Sequence, residues 1–326
     1  VGGNLILSHC NSFTKLPANL EVVGNLDLSY CKLLKELPDN LKVGGNLNLR
    51  GCKSLTKLPD GLKVTGNLDL SHCKLLKELP DNLKVGGNLI LSHCNSFTKL
   101  PAGLEVTGNL RLAHCKFIEL PDGLQVGGDL ILRGCKSLTK LPDNLKVGGN
   151  LDLSHCNPLE LSANLQVGGN LILGLCKSLA KLPDNLKVGG DLNLSAYKSL
   201  TKLPDGLEVG GDLILGYDSS LTKLPDGLQV GGDLILFACK LLEYLPKDLK
   251  VGRDLNLSSC SSLKELPDDL KVGRNLYLSL CTSLTKLPAG LKVTGKLDLR
   301  ECTALRSLSA NLKVGEGLYL GGCKLL

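Results

Sequence analysis

The side chains with most chemistry to offer stand in two neighbouring columns. The 14 cysteines recur at a nearly fixed step: Cys10, Cys31, Cys52, Cys73, Cys94, Cys115, Cys135, Cys156 and Cys176, then Cys239, Cys260, Cys281, Cys302 and Cys323, with Tyr197 and Asp218 breaking the column. Each of the five histidines, His9, His72, His93, His114 and His155, directly precedes one of them. Thiolate and imidazole are the usual ligands of zinc, and a thiolate is also a nucleophile. A secreted disulfide framework pairs cysteines of varied spacing, whereas a uniform step lays thiols side by side in a buried ladder. Reduced core thiols acting as small apolar residues are therefore expected, and a chain with so many of them belongs in a reducing compartment, the cytoplasm. In a strand-like segment neighbouring side chains point to opposite faces, so an outward His and an inward Cys do not share an ion and no metal is expected.

Other chemistry is harder to find. No Cys-x-x-Cys pair, phosphate loop, nucleophile elbow or His-Glu-x-x-His spacing occurs. An enzyme would need one unit that breaks the rhythm with a catalytic insertion, and none does, so the chain reads as neither an enzyme nor a cofactor binder. The formal net charge of +6, from 38 basic and 32 acidic residues, makes a mild field and does not suggest nucleic acid as a partner. No apolar run approaches the roughly 18 residues that span a membrane, so no membrane insertion is expected.

What positions the columns is a period. Val1, Val22, Val43, Val64 and Val85 open a series that runs to Val314 at a step of 21 residues, with two 20-residue exceptions beginning at Val106 and Val147. Residues 1–326 read as one array of fifteen complete units and a partial sixteenth, without linker or recognisable caps, both ends falling in mid-unit. In the unit from Leu37 to Lys57, alternation across Leu47, Asn48 and Leu49 signals a strand with Leu inward and Asn outward. Pro38, Asp39 and Asn40 form a turn in which Asn, or Gly in other units, takes the left-handed region. Leu41 and Val43 predict a second extended segment before a corner at Gly44 and Gly45, and the second corner position, taken by Arg253, Arg274 and Glu316 in later units, faces solvent.

The spacing L-x-L-x-x-C followed by Leu resembles the leucine-rich repeat, and the Leu-Pro opening at about 20 residues resembles its short bacterial subclass, with Cys where most such repeats carry Asn. The phrase LSxCxxLxxLP is also similar to repeats of plant disease-resistance receptors, whose units are longer; the shorter spacing favours the bacterial subclass. The resemblance implies a mainly β repeat solenoid with a parallel concave sheet on which partners dock. With no room for a helix between Leu41 and Val43, extended or β-like segments are expected on the convex side. If the bacterial resemblance extends to host-directed effectors, the compartment is the host cytoplasm.

Two further columns bear on function. The residue before Leu-Pro alternates in sign from Lys15, Glu36 and Lys57 to Glu160 and Lys181, which in-register parallel stacking explains because like charges on adjacent strands destabilise. An Asn or Asp column from Asn4 to Asn275 is better read as a hydrogen-bonded ladder than as ligand contacts. The outward column of the Leu strands, however, carries Ile131, Ile172, Ile214, Ile235, Tyr277 and Tyr319 where a solvated face would be polar. With the unit-specific residues Phe237, Arg253 and Arg274, these are the candidate partner-binding residues. The expectation is a non-catalytic scaffold for a protein partner; the alternative is a structural array that assembles end to end with copies of itself.

Overall fold

A computed structural model describes residues 1–116, 119–156, 160–176, 181–195, 200–216 and 220–326; Tyr197 and Asp218, which break the cysteine column, lie outside the described residues. The chain forms two compact units, Val1–Gly168 and Gly169–Leu326. Each is a parallel β-solenoid, with no helix among the described residues. Its turns bear out the leucine-rich-repeat reading. Among the described residues no helix is long and apolar enough to cross a membrane.

One turn contributes two short strands, such as Lys42–Val43 and Leu47–Asn48. In each unit the Leu strands stack into a parallel sheet, Leu26 beside Leu47 and Leu47 beside Leu68 in the first, and Leu213 beside Leu234 in the second. The Val strands stack into another, Val43 beside Val64 and Val209 beside Val230. In the second unit the last Val strands, Lys292–Val293 and Lys313–Val314, form a separate pair. Backbone bonds continue past the strand ends: Leu47, Leu49 and Gly51 donate to Asn67, Asp69 and Ser71 of the next turn at 2.8, 2.7 and 2.8 Å. Every turn thus satisfies its neighbours' peptide groups, and an isolated turn has no such partner.

The periodicity explains the core. Leu47, Leu49, Cys52, Leu55, Leu58, Leu62 and Val64 are all buried, each stacked on the same position of neighbouring turns. Lys42 and Asn48, on the outer sides of the two strands, are not buried. After Pro38, Asn40 takes φ 59°, and Gly61 takes φ 72° one turn later, so the alternation of Asn and Gly at this tip answers a left-handed backbone. The sign-alternating column lies in register, with Lys99 bridged to Glu119 and Lys140 to Glu160. These exposed side chains close few ion pairs; Lys286 to Glu265 at 3.2 Å is one.

Candidate partner-binding face

The cysteine column is internal. None of the 14 cysteines is in a disulfide, and all but Cys10 and Cys323 are buried. Cys52, Cys73 and Cys94 donate to the carbonyls of Leu28, Leu49 and Leu70 on the preceding turn at 3.1, 3.2 and 3.0 Å. A thiol in this place joins successive turns by a side-chain bond, beyond the apolar filling expected of it. Burial pushes Cys52, Cys94 and Cys260 up to about 12, so they stay protonated and unreactive at neutral pH.

The histidines do not lie in a strand, as the sequence suggested. His9, His72, His93, His114 and His155 occupy left-handed turns with φ between 58° and 63°. Their rings stack along the solenoid, His72 on His93 at 4.7 Å and 6°, and His93 on His114 at 4.9 Å and 17°. Burial in the stack, then the neighbouring imidazoles and Arg50, lowers the His93 pKa. Parallel rings do not aim their nitrogens at one point, and among the described residues no group of three or more ligating side chains is gathered for a metal.

The Asn and Asp column is a ladder. Asn46, Asn67, Asn88 and Asn109 each donate a backbone N–H to the Oδ1 of the preceding rung at 2.7 Å. A Cβ on Gly45 would stand 2.5 Å from Asn25 Oδ1, so the corner glycine follows from the ladder. In the second unit the rungs become Asp191, Asp212, Asp233 and Asp254, and the Gly that precedes the rung becomes Arg253 before Asp254 and Arg274 before Asn275. Arg253 bonds to Asp212 and lies 3.4 Å from Asp233; Arg274 reaches both oxygens of Asp254 at 3.1 and 3.3 Å. Burial alone would push the Asp254 carboxyl up, but bonds from Asn275 and Arg274 outweigh it and the pKa is lowered. The new Cβ atoms lengthen the ladder: Asp233 donates at 2.7 Å, Asp254 at 3.0 Å, Asn275 at 3.1 Å, and Lys296, beside Gly295, at 2.8 Å. Arg253 and Arg274, singled out in the sequence for a partner, thus already serve the acidic ladder. The signal for this was the change of Asn to Asp over four rungs followed by Gly to Arg.

The outward column of the Leu sheet divides in two. Asp27, Asn48, Asp69, Asp152, Asn193, Asn256 and Asp298 turn their Oδ1 back to accept the N–H two residues on, at 2.8 to 3.1 Å. They fasten the turn that follows the strand. Ile and Tyr have no such acceptor. In the first unit Ile131 lies between Arg111 and Asp152. In the second, the column reads Ile172, Asn193, Ile214, Ile235, Asn256, Tyr277, Asp298 and Tyr319 on successive paired strands. Ile214 and Ile235 are direct neighbours, both half-buried. Phe237, two residues on, is half-buried and packs beside Gly216 of the preceding turn. Tyr319 carries the Arg300 guanidinium at 6.0 Å from its ring centre, and Arg300 in turn clasps Asp298 at 2.7 Å.

No family model matches the chain. No curated protein matches it either. Among solved structures, a leucine-rich repeat protein from Bacteroides ovatus ATCC 8483 is similar over 100% of this chain and 81% of its own length, with 18% identity and a TM-score of 0.33.

Proposed function

We propose that the chain is a non-catalytic binding module whose second unit holds a protein partner on the outer side of the Leu sheet, with Ile214, Ile235 and Phe237 at the centre and Ile172, Tyr277 and Tyr319 along the same column. One observation carries the reading: Asn193, Asn256 and Asp298 on this sheet bond their own backbone, whereas Ile172, Ile214, Ile235 and Tyr277 offer no such acceptor and remain partly exposed. Half-buried aliphatic and aromatic side chains on a rigid sheet are what interface centres are made of. The single-array reading belongs to the same proposal, since the 20- and 21-residue step runs on through Val167 and Val188. A photo-reactive residue at position 214 or 235 is expected to cross-link a specific partner, and one at position 229 or 250, on the Val sheet, is not. Equal cross-linking from both faces contradicts the proposal. So does concentration-dependent growth of the chain into filaments that bury position 235.

A further inference from the structure

Four consecutive rungs of the side-chain ladder in the second unit are Asp191, Asp212, Asp233 and Asp254, whereas the first unit builds its rungs from Asn with Asp129 as the one exception. The ladder itself does not ask for the charge. Asp212 and Asp233 each donate to the Oδ1 of the aspartate before them at 2.7 Å, the distance that Asn67 and Asn88 keep to an asparagine. Like charges about 4.8 Å apart on adjacent strands oppose folding, so four carboxylates in a row cost stability that four amides would not. Part of the charge is answered within the unit: Arg253 bonds Asp212 and lies 3.4 Å from Asp233, and Arg274 holds Asp254. Four aspartates thus meet two arginines, and the unanswered end of the row is Asp191. It lies in the field of Arg253 but forms no ion pair among the described residues. Lys187, four residues before it, is taken by Glu208 at 2.9 Å.

The acidic rungs fall on the turns that carry the apolar column. Asp212 and Ile214 flank the inward Leu213, as Asp233 and Ile235 flank Leu234, and all four flanking side chains are half-buried. The apolar strip is therefore one column wide, with the acidic row along one side and, apart from Phe237, Ser195, Gly216 and Ser258 along the other. An interface between two folded proteins takes roughly 20–30 residues a side, and a strip this narrow suits a single segment of chain. On the reading that Ile214 and Ile235 hold a partner, we propose that the occupant is a linear segment that sets aliphatic or aromatic side chains on Ile214, Ile235 and Phe237 and a Lys or Arg on Asp191 and Asp212. An acidic segment is repelled by the row. A neutral one takes water from the surplus carboxylate and returns no counter-charge.

The test is selection of a random dodecapeptide phage library on the full chain, with peptides that also bind Ile214→Lys/Ile235→Lys removed, followed by titration of the strongest synthetic peptide in 50 mM and 200 mM NaCl. Recovered peptides are expected to carry Lys or Arg within three residues of Leu, Ile, Phe, Tyr or Trp at least twice as often as the unselected library. The titrated peptide is expected to bind more weakly at the higher salt. Asp191→Asn/Asp212→Asn keeps both ladder acceptors, as Asn67 and Asn88 do natively, and is expected to bind that peptide at least fivefold more weakly with a flatter salt dependence. Asp129→Asn in the first unit stays within twofold of the parent. Peptides that depend on Ile214 and Ile235 but lack the basic enrichment, or that bind Asp191→Asn/Asp212→Asn as tightly as the parent, overturn this inference and leave the Leu-sheet reading standing. Recovery of no peptide that depends on Ile214 and Ile235 overturns the linear segment, and cross-linking from positions 214 and 235 then decides the Leu-sheet reading separately.

Discussion

Replacing Asn88 by Ala removes one rung of the side-chain ladder and nothing from the leucine core. Asn88 Oδ1 accepts the backbone N–H of Asn109 at 2.7 Å, while its own N–H bonds to Asn67 Oδ1 at 2.7 Å. The variant keeps the second bond and loses the first, leaving a partly buried amide without its acceptor at a cost of about 1–3 kcal/mol. Asn88→Asp retains an acceptor in the same place, as Asp129 does natively for Asn150 at 2.8 Å, and is expected within about 0.5 kcal/mol of the parent at neutral pH. Urea unfolding measures the loss. Amide exchange of a peptide containing Asn109 locates it, with an acceleration of about 5- to 100-fold in Asn88→Ala from the same energies. Because each turn contacts its neighbours alone, exchange several turns away is unchanged. Unaltered exchange at Asn109, or an Asp variant as unstable as the Ala one, refutes the ladder as the element that holds the corner.

Three further outcomes follow from other columns. Ser162 and Ser309 stand where most turns carry Pro, and their buried hydroxyls have no hydrogen-bond partner; Ser162→Pro is expected to raise stability by about 1 kcal/mol, seen as a higher urea midpoint, and a lower midpoint contradicts this. Native iodoacetamide labelling at mildly alkaline pH is expected to modify Cys10 and Cys323 more than tenfold faster than Cys52, Cys94 or Cys260. Since burial raises those thiols to about 12 from an ordinary 9.0, the folded state binds their protons more tightly. Their contribution is whole below pH 9 and is lost as pH rises toward 12, so the urea midpoint is expected to fall over that interval. Arg274→Gln removes two of the bonds that keep the Asp254 carboxyl low. The deficit of this variant in urea midpoint is expected at neutral pH and closes as pH falls through the lowered Asp254 pKa, where the parent carboxylate also protonates; a pH-independent deficit contradicts the ion-pair account.

The period carried most of the fold. Leu47, Leu49, Cys52 and Val43 recur at fixed offsets, and a solenoid reports each offset as a column, so inward and outward sides were legible without coordinates. The turn tips were legible too, because Asn40 and Gly61 share only their tolerance of positive φ. What the alternation rule misplaced was the histidine, since strands of two residues end at Asn48 and the chain has already entered a left-handed turn by His72 or His93 in their own units. The outward Asn and Asp residues of the Leu sheet looked like surface until their bonds to the following N–H groups appeared. Arg253 meets Asp212 across two turns, a separation of 41 residues, and neither residue alone signals the other. In the candidate face, the column of Ile and Tyr was visible in sequence, but its separation from the Asp and Asn that cap the backbone required the hydrogen bonds.

The central claim is that the half-buried apolar column of the second unit holds a protein partner. Ile214→Lys/Ile235→Lys places two charges on directly paired strands while sparing the inward leucines, so the fold is retained and is checked by circular dichroism. Two isoleucines buried in an interface contribute about 1.5–3 kcal/mol each. With the partner captured through position 235, titration is expected to show at least a hundredfold weaker binding by the folded variant. An affinity within threefold of the parent contradicts the account and moves the binding surface off the Leu sheet.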